Sequence, residues 1–373
     1  MKTRRYDILI ALLFCLFLGG MLLAFLLLPK HSFSVREKRY LAEAPKLSWR
    51  NVASGAFSDA AETYAAEHLP GRDTLVGLNA LYDLLSGRQV TKEILRGRDG
   101  RLFEAPAPFD TGIIRRHLAA INDFAEATGQ DVTLLLVPSA GYMLPEELPA
   151  LHDPWEDGEI LDAVSAAAGE GVHVLDLRDA FAENDPASLY YRTDHHWTAR
   201  GAWLAASLYA ETAGRPALSE AEYSVTSVPG FYGTTYARSA LWATEPEPLE
   251  LWESGAEYLV ENADHPDEHE GLFYPEHLDE PDKYPVYLDG NHSLVRVRRL
   301  SDAPEGKVLV IRDSFANCLG CFLADSYGEV VLVDLRYYRG TVSELLEAEN
   351  FDDILIVYGL NNFMADTNLG KLE

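Results

Sequence analysis

Residues 8–28 (ILIALLFCLFLGGMLLAFLLL) form an uncharged apolar run of 21 residues. At ~1.5 Å rise per residue, a helix of that length crosses the ~30 Å hydrocarbon core of a bilayer. Pro29-Lys30-His31 follows without a small-x-small cleavage pattern, and Leu13-Phe14 before Cys15 are too bulky for lipoprotein processing. The pattern therefore predicts an uncleaved single-pass anchor over 1–30. Residues 31–55 read as an extended linker punctuated by Pro45 and Gly55, and 56–68 and 72–87 as amphipathic helices. Five short apolar runs follow, at 132–137, 172–177, 307–312, 330–333 and 353–358. They alternate with helical stretches at 114–127, 198–213 and 314–325, which predicts parallel pairing in a layered α/β domain spanning 56–373. Residues 216–300, rich in Pro, Glu, Asp and Tyr, read as a loop-rich insertion with little regular structure.

Charge changes the picture of partners. Residues 1–30 hold four Lys/Arg and one acid, so the remainder carries 27 basic against 58 acidic residues, a net of −31. Such a surface repels phosphate backbones, and nucleic acid is excluded as a partner. Lys2, Arg4 and Arg5 before the anchor face Lys30, Arg36, Lys38 and Arg39 behind it. The charge rule does not choose between these clusters, but the short tail favours an inside N-terminus and an extracytoplasmic domain. Cys318 and Cys321 form a C-x-x-C without a second pair to complete a zinc site. Two small apolar residues one turn apart on a buried helix face are the plainer account.

Three motifs fall just past the carboxyl ends of predicted strands, where an open parallel sheet places its chemistry. In Thr193-Asp194-His195-His196-Trp197-Thr198, an Asp two residues before a His is able to orient the imidazole. Capping of the following helix by Asp194 or Thr198 accounts for the same residues. In 308–315 (VLVIRDSF) a strand runs into Ser314 and then a helix, a turn that exposes a hydroxyl beside a helix N-terminus. Asp-Ser there also reads as an ordinary cap. The third motif, Gly359-Leu360-Asn361-Asn362, places an amide after the last strand, in a stretch equally suited to a turn.

Together these residues resemble the SGNH hydrolase superfamily, with D-S at one strand end and G-x-N two strands later. The Asp/His block stands before the serine, an order that looks circularly permuted and is similar to the alginate O-acetyltransferase-like proteins. Asp194-His195-His196-Trp197 resembles the naming run of the DHHW family. Further similar stretches are 35–42 (VREKRYLA), 97–103 (GRDGRLF), 231–234 (FYGT), 282–292 (DKYPVYLDGNH) and 334–338 (DLRYY). The resemblance implies a three-layer, flavodoxin-like parallel sheet, circularly permuted. In it 307–312 lies between 330–333 and 353–358, with 132–137 next and 172–177 at the far edge.

It also implies roles: Ser314 as nucleophile, His196 as base, Asp194 as its orienter, and Asn361 with the Ser314 backbone N–H as oxyanion hole. Arg336 and Gly340 are the candidates for the remaining block of the superfamily. Substrate-side candidates are His195, Tyr232, Tyr287, Asn291 and Arg336; Tyr190 and Tyr191 also offer rings of the kind that stack on sugars. No cofactor and no metal is expected. The implied function is O-acetylation of a cell-surface or exported polysaccharide at the cell membrane, beside a multi-pass membrane acyltransferase that supplies the acyl group. A carbohydrate acetyl esterase with the same residues, and a non-catalytic envelope binding or assembly protein, are the alternatives. A metal enzyme resting on His265, His269 and His277 among the acids of 261–282 is set against the simpler account of a solvated loop.

Overall fold

The computed structural model describes residues 2–265 and 267–372. The chain divides into two compact units, residues 1–88 with 240–242 and residues 89–239 with 243–373.

In the first unit the N-terminal helix Lys2–Leu27 carries the apolar run. Among the described residues it is the one helix long and apolar enough to cross a membrane. The stretch after it folds back on itself, with Phe33–Ser34 paired antiparallel to Arg39–Tyr40. Glu37, 5% exposed, accepts from Arg39 and from Arg72 at 2.9 Å each. Helices Ala56–Glu67 and Arg72–Leu85 complete the unit, close to the predicted spans.

The second unit is built on an eight-stranded, mixed and mostly parallel sheet. In chain order its strands are β1 (Val132–Val137), β2 (Val172–Leu175), β3 (Tyr258–Asn262), β4 (His269–Glu270), β5 (Leu294–Arg299), β6 (Lys307–Arg312), β7 (Glu329–Val333) and β8 (Asp353–Gly359). Their spatial order is β4-β3-β5-β7-β6-β8-β1-β2. The five strands read from apolar runs pair in parallel, with β6 between β7 and β8, β1 next and β2 at the edge, as expected. These runs are continuously apolar because both faces are covered. Val308, Val310, Leu332 and Leu355 enter the core on one face, while Leu309, Ile311, Val331 and Ile356 enter the core on the other. Helices α3 (Ala199–Thr212) and α4 (Phe315–Ser326) pack on the first face. Helices α1 (Thr111–Thr128), α2 (Asp157–Ala167), α5 (Val342–Ala348) and α6 (Leu360–Ala365) pack on the second.

Residues 216–300 depart from the expectation of little regular structure. Ser224–Phe231 and Glu247–Glu253 form an antiparallel pair, and β3, β4 and β5 extend the sheet antiparallel beyond β7. The reason is visible in β3 and β5: Tyr258, Val260, Val295 and Val297 are buried, while Leu259, Glu261, Arg296 and Arg298 between them are half-exposed. Alternation of period two over five or six residues buries one face. Surrounded by Pro and acids, such short segments carry little signal.

Candidate active site

Ser314 stands where β6 ends and α4 begins. The apolar strand brings Arg312 and Asp313 to its carboxyl end, both buried. Every residue of α4 is buried, so the turn before it is held from all sides. Asp313, rather than Ser314, ties the junction: its carboxylate accepts from Phe315 N (2.9 Å), Gly359 N (2.8 Å) and Asn362 Nδ2 (2.7 Å). Ser314 makes no side-chain capping bond and its hydroxyl turns toward His196. The Arg312 guanidinium is held by Asn317, by Asn291 Oδ1 at 3.1 Å and by the Gly290 carbonyl at 3.3 Å. Burial lowers its pKa to about 10, which leaves it charged at neutral pH.

The segment 193–197 arrives from the start of α3. Thr198 caps that helix by accepting from Gly201 N, so the capping role falls to Thr198 and Asp194 is left for the histidines. Glu247 Oε1 accepts from Thr193 N (2.6 Å) and Thr193 Oγ1 (2.5 Å), and Glu247 Oε2 accepts from Arg192 N (2.7 Å). The buried Arg101 donates to the Tyr190 and Tyr191 carbonyls at 3.0 Å each. Trp197, 0% exposed, donates from Nε1 to the Phe315 carbonyl at 3.1 Å and so joins the histidine segment to α4.

These anchors close a hydrogen-bonded chain. His196 Nδ1 lies 2.5 Å from Asp194 Oδ1, and His196 Nε2 lies 2.7 Å from Ser314 Oγ. Asp194 also accepts from His196 N at 2.9 Å and from Thr234 N at 2.6 Å. Burial alone drives the Asp194 pKa up, but the two histidines and these bonds outweigh it and hold the carboxyl well below its usual range. Burial, with His195 alongside, lowers the His196 pKa below 6.5 against the pull of Asp194. An ionised Asp194 behind a neutral His196 is the state in which an imidazole accepts a hydroxyl proton. Acylation of Ser314 by an activated ester should accordingly fall as His196 is protonated, with its midpoint below pH 6.5. A rate profile from pH 4.5 to 8 with a midpoint at or above 7 contradicts this.

A cleft of about 430 Å³ opens beside this chain, lined by Phe103, Ser139, His195, Phe315, Leu360 and Asn361 among others. His195 is thus on the cleft, but it does not point away from His196 as alternation along an extended segment would require. The segment bends, the two rings lie 3.8 Å apart, and His195 Nδ1 comes within 3.4 Å of Asp194 Oδ1. Asn361 lines the cleft with its Nδ2 donating to the Ala105 carbonyl at 3.2 Å. Asn291 and Arg336 line a different, broad groove of about 1920 Å³, where Asp334 holds Arg336 through two bonds of 2.9 and 2.6 Å. Gly340 lines that groove too.

Two tyrosines do not stand where the sequence put them. Tyr287 is 1% exposed with its hydroxyl on the Glu250 carbonyl at 2.5 Å, so it belongs to the core rather than to a sugar-binding surface. Tyr232 stacks on Tyr236 at 4.3 Å and is not among the residues that line the cleft. Tyr190 and Tyr191 are likewise buried. The aromatic partner of the site is Tyr284, which sequence reasoning missed: its ring stacks on His196 at 4.1 Å and 9°. The 282–292 stretch contained the signal, but nothing in its spacing separates Tyr284 from Tyr287. Cys318 and Cys321 are buried, unbridged thiols inside α4.

Residues 94–278 match the family model described as SGNH hydrolase-like domain, acetyltransferase AlgX. The match contains Asp194, His195 and His196 and ends before Ser314, whose place in the site rests on the geometry above. Over 102 residues the chain is 28% identical to the alginate biosynthesis protein AlgX of Pseudomonas aeruginosa, a stretch that spans 26% of this chain and 22% of that protein. Among solved structures, a DHHW family protein from Eubacterium siraeum is similar with a TM-score of 0.66 at 20% identity, covering 76% of this chain and 95% of that one. PatB1 of Bacillus cereus is similar with a TM-score of 0.63 at 22% identity, covering 75% and 99%. At such identities these likenesses show a shared fold. The family match and the fold agree: over residues 94–278 the chain is similar to the SGNH hydrolase-like domain of the AlgX acetyltransferase family.

Proposed function

We propose that this protein is a membrane-anchored, extracytoplasmic O-acyltransferase, transferring acetyl, that acts on a cell-surface or exported polysaccharide through Ser314, His196 and Asp194. The observation that carries the proposal is the unbroken hydrogen-bonded chain from Asp194 Oδ1 through His196 to Ser314 Oγ. In the first half-reaction His196 takes the Ser314 proton as Oγ attacks the acyl carbonyl, then returns it to the departing group. In the second half-reaction a sugar hydroxyl gives its proton to His196 and attacks the acyl-serine, and His196 returns that proton to Ser314 Oγ as the acyl–serine bond breaks. Asp194 steadies the imidazolium in both. The Ser314 N–H at the start of α4 and the Asn361 amide are assigned to the developing oxyanion.

His195 on the cleft, and Asn291 and Arg336 on the broad groove, are the substrate-side residues of this proposal. The apolar helix at 8–28 serves as anchor and 31–55 as linker to a catalytic domain at 56–373, with 216–300 inserted in it. A multi-pass membrane acyltransferase supplies the acyl group. The order of the chain, with Asp194 and His196 ahead of Ser314, supports a circularly permuted, three-layer, flavodoxin-like arrangement.

The test uses the full chain in detergent with an activated acetyl ester and a panel of glycans. Acetyl should appear on one glycan class, and Ser314→Ala should abolish its appearance. Acetate release at one rate with and without every glycan, and no acetylated product, would replace transfer by hydrolysis.

A further inference from the structure

The geometry points to a second site on this chain, a divalent transition-metal site of the zinc class formed by His265, Asp289 and His292. Its residues come from two loops at the same end of the β3–β5 pair. Asn262 closes β3 opposite Val295, Ala263 N continues the ladder to the Leu294 carbonyl, and His265 follows in the next turn. Asp289 and His292 lie in the turn that leads into β5. Asp289 Oδ2 stands 3.0 Å from His292 Nε2 and 3.7 Å from His265 Nε2, and all three atoms lie within 4.8 Å of one another. Donor atoms around a tetrahedral zinc with bonds of ~2.0–2.1 Å stand about 3.3 Å apart.

The groups behind these atoms strengthen the assignment. His292 Nδ1 faces Asp264 Oδ2 at 3.3 Å, and Asp264 is itself fixed by Ser293 N at 2.9 Å and Ser293 Oγ at 3.1 Å. A carboxylate that takes the far N–H of an imidazole and leaves the other nitrogen for a metal is the usual support of a zinc-bound histidine. The second oxygen of Asp289 is similarly occupied, since His277 Nε2 reaches Oδ1 at 2.7 Å, while Oδ2, which accepts from Asn262 Nδ2 at 3.4 Å, faces the two imidazoles. His292 Nε2 lies 3.0 Å from Asp289 Oδ2 and 2.9 Å from the Asp289 carbonyl, close enough to Oδ2 to share a proton or a metal ion with it. One proton satisfies one such pair; two imidazoles converging on one oxygen fit a metal. Two imidazoles and one carboxylate with a fourth position open select zinc or a similar ion over calcium or magnesium, which take oxygen ligands.

The backbone is also shaped for this. Leu288, Asp289 and Gly290 are consecutive left-handed residues, at φ 54°, 62° and 80°. Non-glycine residues there cost energy and persist where their surroundings demand them. The same turn presents Asn291 and the Gly290 carbonyl to Arg312, two residues before Ser314. A bound ion therefore pins the loop that holds Arg312 and takes no part in acyl transfer.

The full chain in detergent, stripped with a chelator and titrated with zinc against a chromophoric chelator, should bind one zinc per chain at this site. His265→Ala removes a 61% exposed ligand and should leave the fold unchanged by circular dichroism while weakening zinc at least ~10-fold; His292→Ala should do the same. Asp264→Asn should weaken zinc by about 10- to 100-fold through the orientation of His292. His269→Ala, whose ring bonds the Phe273 carbonyl, and His195→Ala should leave affinity unchanged. Cobalt substituted for zinc should give the intense visible bands of a tetrahedral site, lost in His265→Ala. Absence of zinc binding, binding indifferent to both His265→Ala and His292→Ala, or binding lost through His195→Ala overturns the assignment.

Discussion

His196→Ala is expected to slow acetylation of Ser314 by an activated acetyl ester by about 10³-fold or more, whereas His195→Ala costs far less. The two histidines are neighbours with rings 3.8 Å apart, and both approach Asp194 Oδ1. Only His196 has its second nitrogen on Ser314 Oγ, at 2.7 Å. Removing His196 leaves the hydroxyl without a base and takes the imidazole from Asp194 Oδ1, which keeps only its bond from the backbone N of residue 196 and the approach of His195. Removing His195 empties part of the cleft wall and leaves the chain from Asp194 to Ser314 intact. Intact-protein mass spectrometry follows the acetyl adduct directly. An adduct that forms at the normal rate in His196→Ala and disappears in His195→Ala would reverse the assignment, and indifference to both would remove the base altogether.

Gly233→Ala should also be damaging although residue 233 has no side chain to contribute. A Cβ built there stands 2.2 Å from Asp194 Cβ, 2.4 Å from Oδ2 and 2.5 Å from Cα. Backbone is among the clashing atoms, so no rotamer change relieves the contact, and either the 231–234 turn or the Asp194 segment shifts. Overpacking of this kind costs about 1–3 kcal/mol. The shift also breaks Gly233 N to Thr193 Oγ1 (3.1 Å) and Thr234 N to Asp194 Oδ2 (2.6 Å). A displacement of about 1 Å in a catalytic group lowers rates on the order of 10²-fold. The check is a pair of measurements, urea midpoint and Ser314 acylation rate. A Gly233→Ala protein with both unchanged would mean that the turn does not set the position of Asp194.

The central sheet was legible because Lys307–Arg312 and its parallel neighbours are covered on both faces and so read as continuous apolar runs. Ser314 and His196 were legible because each follows directly on a local pattern, a strand end for one and a D-x-H spacing for the other. What was hidden depends on contacts between segments far apart in the chain. Glu247 beneath Thr193, Gly233 against Asp194 and Tyr284 on His196 lie 39 to 88 residues from their partners, and no local periodicity marks them. Asp313 looked like a helix cap and is one, through Phe315 N, yet its other oxygen ties β6 to the start of α6. The strands β3 and β5 were hidden because Glu261, Arg296 and Arg298 occupy their outward positions and pair across the surface.

The position of β8 between β6 and β1 has a kinetic consequence. Val132 pairs with Ile354, and β6 joins the sheet only through β7 and β8, so β1 and β2 wait for strands made much later in the chain. Proteins dominated by such distant pairings close large loops before any contact rewards them, and they fold slowly. During synthesis the edge of β1 that β8 will cover stays open, with its backbone groups free to pair with another chain.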